Sequence, residues 1–132
     1  MFQKKSGSDP LQALRDRVDE NPKDAKLAND LATQLKAKGD LMGAVHYALV
    51  AATAHTEAGF LQKALAVLRA AEMWGQPTAP LLNALVDTHL QLKHKEDARG
   101  ALIKLRALHS AAGNRGELAG IDKRLAELGP GR

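Results

Sequence analysis

The chain has 132 residues, a formal net charge of +4, no cysteine and few aromatic side chains: one Trp, one Tyr and two Phe. This length suits one compact domain or one short solenoid rather than two independent cores, and the lack of thiols excludes both a disulfide framework and a thiolate metal site. A core this short of aromatics has to be assembled from Leu, Ala and Val, which favours closely packed helices over sheets.

Met1 to Ser8 is polar and reads as a flexible N-terminal arm without the apolar stretch of a secretion signal. Asp9-Pro10 then opens a first helix, in which Leu11, Leu14 and Val18 form one apolar stripe, and Asn21-Pro22 ends it. A second helix is expected from about Asp24 to Lys38, with Leu27, Leu31 and Leu35 on one side and Gly39-Asp40 closing it. The third covers about Leu41 to Ala58. Its stretch from Leu41 to Thr56 has no Asp, Glu, Lys or Arg, yet is shorter than the ~20 residues that span a bilayer. A helix apolar on most sides is expected to lie between neighbours, and no membrane insertion is expected.

The fourth helix, about Phe60 to Trp74, carries Leu61, Ala64, Leu65, Leu68 and Ala71 inward, and Gly75-Gln76-Pro77 interrupts the chain. Thr78 can cap a fifth helix running to about Leu92, and Lys93-His94 links it tightly to a sixth that ends near Ala112. After Gly113-Asn114 a seventh keeps Leu118, Ile121, Leu125 and Leu128 on its apolar face, and Gly129-Pro130-Gly131 stops it. Residues 129–132 read as a flexible end. No stretch alternates with period two, so the expected class is all-α.

The strongest organising signal is a recurrence at an offset of 54. Leu27, Asn29 and Leu31 return as Leu81, Asn83 and Leu85, Ala44 returns as Ala98, and His55 to Gly59 is answered by His109 to Gly113. A fixed offset kept across helix, turn and helix indicates repeated units that bury their apolar faces against one another. The expected domain is 9–128: a leading helix, 9–21, followed by three-helix units of about 22–76 and 77–128.

On these residues the chain resembles the tetratricopeptide repeat family. With Ala25 counted as position one, Leu31 falls at the family's Leu, Ala32 at the small residue after it and Leu35 at an aromatic position, while Ala44 and Ala51 fall at small positions of the second helix. Asn21-Pro22 matches the dipeptide that ends a preceding repeat. Counted from Ala79, Leu85, Ala98 and Leu102 fit in the same way. Ala28 and Leu82 stand where the family has Trp, and Leu35 and His89 where it has Tyr. The resemblance implies a short right-handed α-solenoid of about seven antiparallel helices, with a groove that holds a partner peptide or helix. Its groove positions would be Lys26, Asn29, Thr33 and Lys36 in the first unit and Asn83 and Asp87 in the second. Asp87 stands where a carboxylate clamp wants Asn, so no such clamp is expected.

No motif marks an enzyme. A Gly-rich phosphate loop, a His-Glu-x-x-His and any motif marking a nucleophile are all missing from the sequence. No cofactor and no metal are expected either. His89 and His94 are five apart, which is not the i, i+4 spacing of a helix-face ligand pair, and His55 and His109 sit near helix ends where an imidazole can meet late carbonyls and the negative end of the dipole.

The charge excess is local: residues 93–132 hold nine basic and five acidic side chains, against ten of each before them. Lys95, Arg99, Arg106 and His109 fall on one stripe of the sixth helix at about 100° per residue, a basic stripe that is either a solvated face or a patch for an acidic protein. Nucleic acid is disfavoured because no aromatics interleave with these charges. Trp74, the single Trp, either caps the gap between repeats or anchors a partner. The recurring Asn29 and Asn83, poor residues for mid-helix, suggest either a repeat-packing hydrogen bond or a groove contact. The functional expectation is a non-enzymatic protein-protein interaction adaptor or scaffold in a bacterial cytoplasm. The alternatives are a homo-oligomeric assembly scaffold and, less favoured, a basic nucleic-acid-binding solenoid.

Overall fold

The computed structural model describes residues 10–75 and 77–130. The expected arm at Met1 to Ser8, the Asp9 cap, Gln76 and the last two residues lie outside the described residues. The described residues form seven α-helices and no strand: α1 (Pro10–Glu20), α2 (Ala25–Ala37), α3 (Leu41–Glu57), α4 (Leu61–Glu72), α5 (Ala79–Gln91), α6 (Lys95–Ala112) and α7 (Arg115–Leu128). The all-α expectation holds. The chain divides into two compact units, Met1–Gly75 with α1 to α4 and Gln76–Arg132 with α5 to α7.

The 54-residue offset is a property of the backbone as well as of the sequence. α2 and α5 begin 54 residues apart, and so do α3 and α6, and α4 and α7. One kind of turn produces this. The amide of Asp40 bonds the Leu35 carbonyl at 2.9 Å, Phe60 bonds His55 at 2.8 Å, His94 bonds His89 at 2.8 Å and Asn114 bonds His109 at 2.9 Å. In each case the preceding residue has positive φ and bonds the carbonyl three residues back: Gly39 (86°), Gly59 (88°), Lys93 (64°) and Gly113 (76°). This is the left-handed helix ending that satisfies the late carbonyls. The residue that closes it also serves as the N-cap of the next helix, so the chain reverses with almost no loop.

The first unit is built on small residues. Ala44, Ala48, Ala51, Ala52 and Ala54 of α3 are buried, and α3 packs against both α2 and α4. The neighbouring helices contribute larger buried side chains, Leu31 and Leu35 of α2 and Leu65 and Leu68 of α4. Pairing short with long residues lets the helix backbones approach and keeps the core dense. The uncharged run of α3 follows from this: a helix with two packed faces has little surface left for charge. Tyr47 shows how α1 is attached. Its ring is buried in α3 and its hydroxyl donates to Asp19 Oδ1 of α1 at 3.1 Å. Burial first, then the Asp19 carboxylate, pushes the phenol's pKa up, so the proton of that bond is held firmly. Arg15 adds an ion pair from α1 to Asp40, at 3.4 Å.

In the second unit the middle helix, α6, again packs on both neighbours, but the residue sizes differ. Positions equivalent to Ala28, Ala48 and Ala51 hold Leu82, Leu102 and Leu105, all buried. Leu35 is replaced by His89, which is also buried. α7 is the least buried helix here, with Ile121 alone fully inside.

Lys93 adopts the left-handed conformation where the equivalent residue is Gly39. For a residue with a Cβ this conformation costs roughly 1–2 kcal/mol. Lys93→Gly is therefore expected to stabilise the fold by about 1 kcal/mol once the extra chain entropy of glycine is counted, read as a higher urea midpoint of unfolding. An unchanged or lowered midpoint would show that the turn is unstrained.

Candidate functional site

The proposed groove residues lie on outward parts of α2 and α5, each in its own unit. On α2, Lys26 pairs with Asp30 at 3.2 Å and the Thr33 hydroxyl donates to the Asn29 carbonyl at 2.9 Å. Lys36 is exposed in the last turn. On α5, Asp87 accepts from Arg124 of α7 at 3.2 Å, so that carboxylate is already engaged inside the second unit. Asn29 is half-buried and Asn83 exposed, and neither side-chain amide makes a hydrogen bond among the described residues.

The basic stripe of α6 is directed largely at α7. Arg106 grips Asp122 with two bonds, at 2.7 and 3.4 Å. Arg99 bonds Glu96 at 3.4 Å and reaches past the end of α7 to the carbonyls of Gly129, at 2.7 Å, and Pro130, at 3.3 Å. The His109 imidazole lies 3.0 Å from the Asn114 amide across the α6–α7 turn. Lys95 is exposed at the start of α6. Most of the stripe thus clamps α7 onto α6, where the pattern of charges alone also allowed a patch open to solvent. His55 differs too. Burial, followed by the nearby Lys63, holds its imidazole below the usual value, so the neutral form is favoured over a cation at the helix end.

Two further features stand out. At one end of the α3–α4 pair, Leu41, Met42 and Met73 are exposed, at 40%, 87% and 85%, beside half-buried Trp74. A Cβ on Gly75 would lie 3.4 Å from Leu41, which places the exit of α4 against the start of α3. In the second unit, the α5–α6 turn gathers His89, His94 and Asp97, whose ligand atoms all lie within 4.8 Å of one another, with the two imidazole rings 5.7 Å apart. Sequence spacing passed over this trio because it tested for two histidines on one helix face. The signal was nonetheless present: a tight link at Lys93-His94 folds residue i+5 back onto residue i. An open hollow of about 430 Å³ lies at the α1–α2 link, lined by Glu20 to Asp24, but it holds no nucleophile or histidine.

The hydrogen bond to Arg106 holds the Asp122 carboxyl below the usual carboxylate range. A carboxylate depressed in this way adds stability above its unfolded pKa, and the contribution is lost as pH falls through the lower folded value. Asp122→Asn should unfold at lower urea than the parent at neutral pH, with the two midpoints converging as the solution is acidified through that window. Both partners are solvent-exposed, so added salt should also narrow the gap.

No family model, curated protein or solved structure matches the chain.

Proposed function

We propose that the chain is a non-enzymatic adaptor of tetratricopeptide-like helical repeats, each of whose two units binds an extended segment or helix of a partner protein on one outward helix face, that of α2 in the first unit and that of α5 in the second. The observation that carries this reading is the recurring asparagine. Asn29 and Asn83 hold the same place in two equivalent helices, where Asn is a poor helix former, and no hydrogen bond to either side-chain amide offsets that cost among the described residues. A primary amide can donate and accept along a peptide backbone, which gives a binding surface a use for it. Burial of Ala28, Leu31, Ala32, Leu35, Ala44 and Ala51, all at motif positions, supports the family resemblance. The engagement of Arg99 and Arg106 within the second unit leaves less positive charge for nucleic acid.

The test uses peptides selected on the intact protein from a displayed random library. Replacing Asn29, Lys36 and Asn83 together by Ala should weaken the selected peptides by at least ~10-fold, equivalent to about 1.4 kcal/mol, with helicity by circular dichroism unchanged or higher. Undiminished binding would sink the assignment of this face.

Self-association is a second reading, favoured by the apolar end of the first unit at Leu41, Met42 and Met73, since exposed clusters of this kind mark interaction sites. It predicts a concentration-dependent mass in light scattering that falls to the monomer value in the Met42→Lys, Met73→Lys double variant. A strict monomer at high concentration excludes it.

A further inference from the structure

The two units contain the same turn at α2–α3 and at α5–α6, so the first serves as an internal reference for the second. In the reference turn every residue suits its local role. Leu35 fills the core, Gly39 takes the left-handed conformation, and Asp40 caps α3 by accepting from the Gly43 amide at 2.9 Å. Gly43 is part of that cap, because a Cβ there would lie 2.6 Å from Asp40 Oδ2. The equivalent positions in the second unit are His89, Lys93, His94 and Asp97, and the first three depart from their local rules. A histidine is buried in place of leucine, with 7% exposure. A lysine occupies the left-handed position. His94 stands at the N-cap of α6 and makes no capping hydrogen bond. The Nδ1 of His94 is buried and has no hydrogen-bond partner among the described residues.

Three departures within six residues, at His89, Lys93 and His94, weaken a turn that the same chain builds well elsewhere. Their common product is three ligand-bearing side chains in one place. Asp97 adds a carboxylate that makes no hydrogen bond or ion pair among the described residues, and its ligand atom lies within 4.8 Å of those of both imidazoles. Concentrated violations of local preference are expected where a site, rather than packing, selects the residues.

We propose that His89, His94 and Asp97 bind one divalent transition-metal ion across the α5–α6 turn. A tetrahedral zinc site with bonds of about 2.0–2.1 Å sets its ligand atoms about 3.3 Å apart, so rotation of the three side chains must draw the trio inward by on the order of 1.5 Å. Two imidazoles and one carboxylate suit Zn²⁺, Co²⁺ or Ni²⁺ better than the oxygen-seeking Mg²⁺ or Ca²⁺. Three protein ligands leave a coordination position for water. The ion would join the last turn of α5 to the first turn of α6 and stabilise the second unit through ligands that do not all come from one helix. This site stands apart from the proposed peptide-binding face and does not depend on it.

The full chain is titrated with ZnCl₂ by calorimetry and with CoCl₂ by visible absorption. One ion per chain is expected, with the ligand-field bands of four- or five-coordinate Co²⁺ and a urea midpoint raised by Zn²⁺. His94→Gln and Asp97→Asn should each weaken Zn²⁺ by at least ~10-fold and abolish the midpoint shift. Both positions lie outside the fully buried core, and His94 provides no cap to lose. His109→Gln, at the corresponding place on the α6–α7 turn, should bind as the parent does. Failure of the parent to bind Zn²⁺ saturably, or binding by His94→Gln and Asp97→Asn as tight as the parent's, overturns the proposal.

Discussion

The structure depends on a single backbone arrangement, the left-handed helix ending in which the amide of residue i+5 bonds the carbonyl of residue i. It occurs at α2–α3, α3–α4, α5–α6 and α6–α7, with bonds of 2.8 to 2.9 Å. Because the closing residue is also the next N-cap, each reversal uses only a few residues and sets the start of the following helix. With α2 and α5 both 13 residues long and the turns equivalent, the helix starts of the two units keep the 54-residue offset. The same arrangement also brings the side chains of residues five apart to one end of a helix pair. His89 with His94, and His109 with Asn114, are neighbours for this reason.

Within that frame, the two units solve the packing problem differently. The first surrounds α3 with alanine contacts and compensates with leucines from α2 and α4. The second places leucines on its middle helix and relies on charged clamps to seat α7: Arg106 on Asp122, Arg124 on Asp87, and Arg99 on the carbonyls beyond the helix end. α7 buries little apolar surface, so hydrogen bonds and ion pairs carry a larger share of its attachment. Two arginines of the charge-rich last third of the chain, Arg99 and Arg106, are used in this way.

Much of the fold was legible from local pattern. Gly39, Gly59 and Gly113 marked three of the four tight reversals, Asn21-Pro22 ended α1, Thr78 caps α5 through the Leu81 amide at 3.3 Å, and the helix spans differ from expectation by only a residue or two. These features are local because caps, glycines and prolines act on their own backbone. The candidate sites were less legible. Helical periodicity groups Lys95, Arg99, Arg106 and His109 but cannot say what faces them, and α7 with the residues just after it takes up two of their guanidinium groups. The histidine pair was passed over for the opposite reason: a rule for one straight helix was applied across a turn.

Composition, periodicity and turn chemistry were enough for the helices, their order and the repeat, because each is written in residues close together along the chain. Which polar side chains are engaged and which are left open required the packed molecule. Asp87 and Asp122 look alike in sequence to any other surface carboxylate, and His89 looks like any other helical histidine. Their roles come from partners 37, 16 and five residues away, brought near by helix packing or by a turn. Contact between residues distant along a chain is settled by how the helices stack, and that is a property of the whole packed unit rather than of any one segment.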